Sequence, residues 1–239
     1  MSGVEIVNNS IIDDFIAPVC EDHIAILYQD DDILLINKPS GLLSLSGKNP
    51  RNWDCVHYRL VNGQRGLTAA FTQAKLPHRL DFGTSGIMVV ALNDQALKHL
   101  NKQFQNATIK KHYLAVLQGS LAADQGHISA AIAKDKSIFP RVKVCQDTGK
   151  SAVTEYSVLK RLESPQRTLV QFTPLTGRTH QLRIHSQFIG HPILGCDLYH
   201  AEQSELKAER LLLHASTLCF QHPVSGINIE QHCPCPFVL

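Results

Sequence analysis

Apolar and polar positions alternate along this chain in short blocks, a pattern that favours strands over helices at most places. Two apolar runs, residues 24–28 and 33–37, flank Asp30-Asp31-Asp32 and predict a β-hairpin, which Lys38-Pro39-Ser40-Gly41 ends as a loop. Residues 54–62 predict a short helix. Residues 87–92 form an almost unbroken apolar run of strand length, preceded by the turn Gly83-Thr84-Ser85-Gly86. Asn93 or Asp94 then caps a helix in which Ala96, Leu97, Leu100 and Phe104 follow the i, i+3, i+4 stripe, with Lys98 and Lys102 opposite. Further strands are expected at 113–117, 128–132, 152–159 and 169–173, and a helix at 181–188 that Gly190-His191-Pro192 stops. Residues 211–220 and 227–230 predict a closing antiparallel hairpin. Helices do not alternate regularly with strands, so the expected class is α+β: a mainly antiparallel mixed sheet flanked by helices and loops.

Composition adds limits. The chain has 239 residues, 44% hydrophobic and 18% charged, enough to bury a core without metal or disulfide staples. Its longest uncharged stretches are too short or too polar to cross a bilayer. The first thirty residues carry Glu5, Asp13, Asp14, Glu21 and Asp22 and no Lys or Arg, the reverse of an export or transit signal, so a cytoplasmic protein is expected. Residues 1–22 lack periodicity and are expected to form an acidic leader ahead of one domain, residues 23–239. Seven scattered cysteines, an odd number, predict free thiols. Cys233-Pro234-Cys235 with His222 nearby has a superficial metal-site look, but Cys-x-Cys lacks the usual zinc spacer and no second pair answers it.

Charge is unevenly spread. Residues 1–38 hold eight acids and one base, whereas Lys98 to Arg183 holds 14 Lys and Arg against five acids. A polyanion partner approached by one face fits this asymmetry, although a merely solvated basic surface would look the same.

No dinucleotide-binding glycine motif, phosphate loop or nucleophile elbow is present. His78-Arg79-Leu80-Asp81-Phe82-Gly83-Thr84-Ser85-Gly86 stands out because it puts a carboxylate on a glycine-rich turn feeding a buried strand, where rigidity and exposure coincide. Asp in a turn is ordinarily a turn former. A second segment, Thr176 to His185, places His180 and Arg183 three apart on a short helix; a planar guanidinium there suits holding a buried carboxylate ionised.

The segment His78-Arg79-Leu80-Asp81-x-x-Thr84-Ser85-Gly86 resembles the signature of the RluA-type pseudouridine synthases. In order and spacing, so do Asn37-Lys38-Pro39-Ser40-Gly41-Leu42, Lys111-His112-Tyr113-Leu114-Ala115, Gly177-Arg178-Thr179-His180-Gln181-Leu182-Arg183-Ile184-His185, Gly190-His191-Pro192-Ile193-Leu194-Gly195 and Leu212-Leu213-His214-Ala215. The likeness spans about residues 24–232 and is to the short members that lack an S4-like domain, for which the residues before Asp81 leave no room. Cys196 departs from the pattern: it stands where the family usually has Asp, and Asp197 follows one step later.

The resemblance implies the pseudouridine synthase fold, with a catalytic cleft across the sheet, and isomerisation of uridine in structured ribosomal or transfer RNA. The C1′–N1 bond breaks, uracil turns and C1′ joins C5, so no cofactor and no metal is implied. The uridine must leave its stack to react. Asp81 would be the reacting carboxylate, by attack at C1′, addition to the ring or a glycal route; the residues leave all three open. Arg183 would pair with Asp81. Tyr113, otherwise readable as a half-buried strand aromatic, would stack on the uracil and handle the C5 proton. Arg79 and Thr84 would line the substrate site with His78 and Leu182. Lys110, Lys111, Lys134, Lys136, Arg141, Lys143 and Lys150 would meet phosphates. A monomer without membrane contact is expected. Two readings compete: an RNA-binding protein of the same fold without turnover, against which Asp81, Tyr113 and Arg183 together argue, and a carboxylate N-glycosidase that would release free uracil.

Overall fold

The first hairpin forms where the alternation puts it. Strand β1 (Ala25–Gln29) pairs antiparallel with β2 (Ile33–Lys38), and Asp30 closes the turn by accepting the backbone N–H groups of Asp32 and Ile33. The computed structural model describes residues 15–47, 49–63, 70–135, 137, 140–199 and 208–237. Helix α1 (Val56–Asn62) starts at Cys55, whose Sγ accepts from the Tyr58 N–H. Strand β3 (Ser85–Ala91) is buried at every position, which is why its sequence runs apolar without alternation. Asn93 caps α2 (Asp94–Gln105) by accepting from the Ala96 N–H, and Ala96 and Leu100 turn into the core.

One expected strand divides. Residues 128–132 contribute to β5 (Gln125–Ser129) and then to β6 (Ile132–Lys134), because the backbone turns to bond Ala152 and Lys150 and leaves the main sheet. There β6 pairs with β7 (Val142–Val144), a strand too short for periodicity to reveal. The long hairpin of β8 (Val153–Glu163) and β9 (Gln166–Pro174) follows, then α3 (Gln181–Phe188), β10 (Leu213–Gln221) and β11 (Asn228–His232).

With β4 (Lys110–Gln118), these strands build a nine-stranded sheet in the order β1-β2-β3-β10-β4-β9-β8-β5, with β11 also on β10. Every pairing is antiparallel except β3 with β10. Thus β10, late in the chain, joins two halves formed by earlier strands. One apolar core gathers β2, β3, α1 and α2, the other β4, β9 and α3. Tyr113 packs against both, so the seam between the cores runs past it. No helix among the described residues is long and apolar enough to cross a membrane, and all seven cysteines are free.

Candidate active site at the seam

Asp81 sits on the turn that feeds β3, its side chain 28% exposed. Backbone bonds hold that turn from both sides. Ser44 Oγ donates to the Leu80 carbonyl and accepts the Leu80 N–H, the Gly41 N–H donates to the Phe82 carbonyl, and Ser40 Oγ donates to that of Gly83. Lys38, fully buried, donates from Nζ to the carbonyls of Pro39 (2.8 Å), Leu42 (2.7 Å) and Phe82 (3.2 Å). Burial pulls its pKa down to about 7, against the pull of the Asp81 charge. The Lys38-Pro39-Ser40-Gly41 loop therefore acts as a clasp that fixes the carboxylate's backbone.

Tyr113 lies on β4 between Ala215 of β10 and Phe172 of β9. Just beyond, between Ala215 and Thr217, the register of β10 shifts in a bulge, a device that re-aims side chains beside sites. Burial, and then the charge of Asp81, push the Tyr113 hydroxyl well above its usual pKa, so it stays protonated. Leu182 is buried on α3 within the second core, and Arg79 is exposed. Thr84 is 2% exposed, and its Oγ1 finds no partner among the described residues.

One expectation is corrected. Arg183 does not pair with Asp81: its Nε donates to Cys196 Sγ at 3.3 Å and its Nη2 pairs with Asp197. The Cys196 thiol and the Asp197 carboxylate thus take its Nε and Nη2 hydrogens. Burial opposes the charge on Arg183, but Cys196, Asp197 and Asp81 more than offset it. His78, expected to line the substrate site, is engaged within the fold. Its Nε2 accepts the Val89 N–H at 3.1 Å and its ring stacks on Phe104, while burial, aided by Lys111, lowers its pKa to about 3. It anchors the signature segment to β3.

His180 and Tyr199 were not picked out by the sequence as site residues. His180 Nε2 lies 4.0 Å from Asp81 Oδ1, and His180 Nδ1 is 2.9 Å from the Tyr199 hydroxyl. The only signal was His180's position beside Arg183.

Of the basic residues, Lys110, Lys134, Lys143 and Lys150 are exposed, and Lys136 lies outside the described residues. Lys111 is half-buried, which lowers its pKa; by strand alternation it shares a face with Tyr113. Arg141 is half-buried over the Tyr199 ring, and with Lys143, Gln187 and Phe188 it lines a cavity of about 300 Å³. His222 accepts the N–H groups of Val224 and Ser225 on Nδ1 and meets Asp30 with Nε2.

Residues 32–188 match the family described as RNA pseudouridylate synthase. The chain belongs to that family, in its RluA-type branch. It is 44% identical over 212 residues to the dual-specificity RNA pseudouridine synthase RluA of Yersinia pestis, covering 89% of this chain and 99% of that one. To the protein of the same name from Escherichia coli K12 it is 40% identical over 220 residues, 92% and 97% of the two chains. Among solved structures it resembles human RNA pseudouridylate synthase domain containing 1, with TM-score 0.73 and 28% identity over 92% of this chain and 87% of that chain. The α+β pseudouridine synthase fold and an RNA-isomerising enzyme are thereby established, and the reading without turnover finds no support.

Proposed function

We propose that this chain isomerises uridines in both ribosomal and transfer RNA, with Asp81 as the reacting carboxylate. The observation that carries the assignment is a partly exposed Asp81, clasped at its backbone and bordered by Tyr113, His180 and Arg183 at the seam of two cores. The names of its relatives support dual substrates.

Residues 23–239 act as one catalytic domain, monomeric and in the cytoplasm. An extruded uridine enters the seam and stacks on Tyr113 over Leu182, while exposed Arg79 enters the gap left in the RNA stack. Thr84 offers its unpartnered hydroxyl to the base. Asp81 begins bond exchange at C1′ or on the ring. Because Tyr113 is protonated, its oxygen takes up the C5 proton as its own hydroxyl proton passes to the Asp81 carboxylate, which is free again once C1′ has joined C5. Arg183 stabilises charge on Asp81 without touching it. Lys110, Lys134, Lys136, Arg141, Lys143 and Lys150 contact phosphates.

The test is tritium release from 5-tritiated uridine in ribosomal and transfer RNA lacking the modification. Wild type releases tritium and yields pseudouridine from both; Asp81→Asn binds RNA and releases none. Turnover of Asp81→Asn within tenfold of wild type overturns the role of Asp81. Free uracil overturns isomerisation, and activity on one RNA class alone overturns dual specificity.

A further inference from the structure

Helix α3 begins in an unusual way. Its N-cap, His180, has φ 53° and ψ 19° and makes no side-chain capping bond. A left-handed non-glycine residue costs energy and persists where its surroundings hold it. Gln181 braces the turn that leads into the helix, accepting the Arg178 N–H with its own Oε1. The His180 ring is left for other partners, and it has two.

One partner is Tyr199, fully buried and late in the loop that follows Gly195. Its hydroxyl oxygen accepts the Val142 N–H at 2.8 Å, which leaves its own proton to be placed. The acceptor within reach is His180 Nδ1 at 2.9 Å. Burial keeps Tyr199 protonated and disfavours a charged His180, so the imidazole has one proton, on Nε2. That nitrogen faces Asp81 Oδ1 at 4.0 Å, one small shift from a hydrogen bond. Arg183 and Arg141 lie over the Tyr199 ring at 5.4 and 5.6 Å and fix its plane.

We propose that Tyr199 and His180 form a positioning relay that presents the His180 Nε2 hydrogen to Asp81 and holds the carboxylate in its reactive orientation. The relay rests on Asp81 being the reacting group. It fills the place left by Arg183, whose hydrogen bonds go to Cys196 and Asp197. Tyr199 acts through His180. The titratable and charged groups around this pair are Asp81, Lys38, Tyr113, Arg183, Asp197, Cys196 and Arg141.

The test compares single-turnover rates and RNA affinity of Tyr199→Phe, His180→Ala, His180→Gln and the Tyr199→Phe/His180→Ala double variant, with Asp81→Asn as reference. Tyr199→Phe keeps the ring and its cation contacts but loses the hydroxyl. The expected result is a loss of about tenfold or more in Tyr199→Phe and His180→Ala, with RNA affinity within twofold of wild type. The double variant is no slower than the slower single, because both remove one relay. His180→Gln, which retains an N–H, recovers part of the rate. Rates within twofold of wild type, additive losses or a His180→Gln no faster than His180→Ala overturn the relay. Should Tyr199→Phe fail to fold, the rates of the two His180 variants decide alone. An inactive Asp81→Asn beside a fully active Tyr199→Phe refutes the relay and leaves Asp81 in its role; an active Asp81→Asn refutes both.

Discussion

Gly86 of β3 faces Ala215 of β10 so closely that a Cβ on Gly86 would lie 2.2 Å from the Ala215 carbonyl oxygen. This is the parallel contact that carries β10 into the middle of the sheet, five residues after Asp81. Gly86 also has φ +116°, a conformation open to glycine and strained for other residues. Gly86→Ala therefore meets rigid backbone and backbone strain together. A loss of about 3 kcal/mol or more is expected, read as a lower urea midpoint, together with loss of activity. An unchanged midpoint would show that β3 and β10 can part without cost.

The clasp makes a separate demand. Lys38→Met fills similar space but strips the donor from the carbonyls of Pro39, Leu42 and Phe82. Its expected cost is about 2–4 kcal/mol at neutral pH, with a larger proportional loss of turnover than of RNA binding. Linkage gives a second signature. The folded-state pKa of Lys38 is about 7, below the 10.5 of a free lysine, so between these values the unfolded chain binds more protons. Stability from this group rises with pH across that window. Urea midpoints at pH 7, 8 and 9 should move in wild type's favour over Lys38→Met, and a difference independent of pH would contradict the lowered pKa of Lys38.

Much of this architecture was legible in the chain, for reasons that differ by element. The first hairpin and α2 have strong periodicity and local turn or cap residues, and α3 was found with its observed bounds, Gln181–Phe188. Asp81 was legible because a signature surrounds it. What stayed hidden depends on distant partners: the short strand β7, the departure of β6 from the main sheet, and the placing of β10 beside β3. The same holds within the site. Nothing local to Lys38 or Tyr199 signals that the fold closes over both. Arg183 was assigned the right neighbourhood and the wrong partner, because the pull of Asp197 depends on how the loop after Gly195 returns to α3.

Exposure divides the neighbouring lysines of β4. Lys110 is exposed, whereas Lys111 is half-buried on the face of Tyr113. Each lysine on a phosphate releases counterions on binding, so Lys110→Ala should weaken many RNAs alike and flatten the salt dependence by about one unit of slope. Lys111→Ala should leave that slope unchanged and lower turnover instead. Affinity measured from 50 to 200 mM salt checks both, and equal slope changes would mean that strand alternation does not separate them.

Tyr113 allows stacking and proton transfer to be told apart, because Phe removes the hydroxyl and leaves the ring. The hydroxyl is buried, and Asp81 adds to the rise in its pKa, so it remains a phenol through the working pH range. A phenolate base would give activity that climbs steeply at alkaline pH; a relaying phenol gives no such climb. If Tyr113 only supports the uracil, Tyr113→Phe keeps most activity and Tyr113→Ala loses about 1–3 kcal/mol of stacking. If the hydroxyl relays the C5 proton, Tyr113→Phe loses on the order of 10²-fold in single turnover while binding RNA far better than Tyr113→Ala. The second outcome is expected, since the ring lies at the seam facing the charge of Asp81, where the isomerised base must shed its proton. A single-turnover rate for Tyr113→Phe near that of wild type would reduce the residue to a stacking platform, and the proton would then have to leave through water.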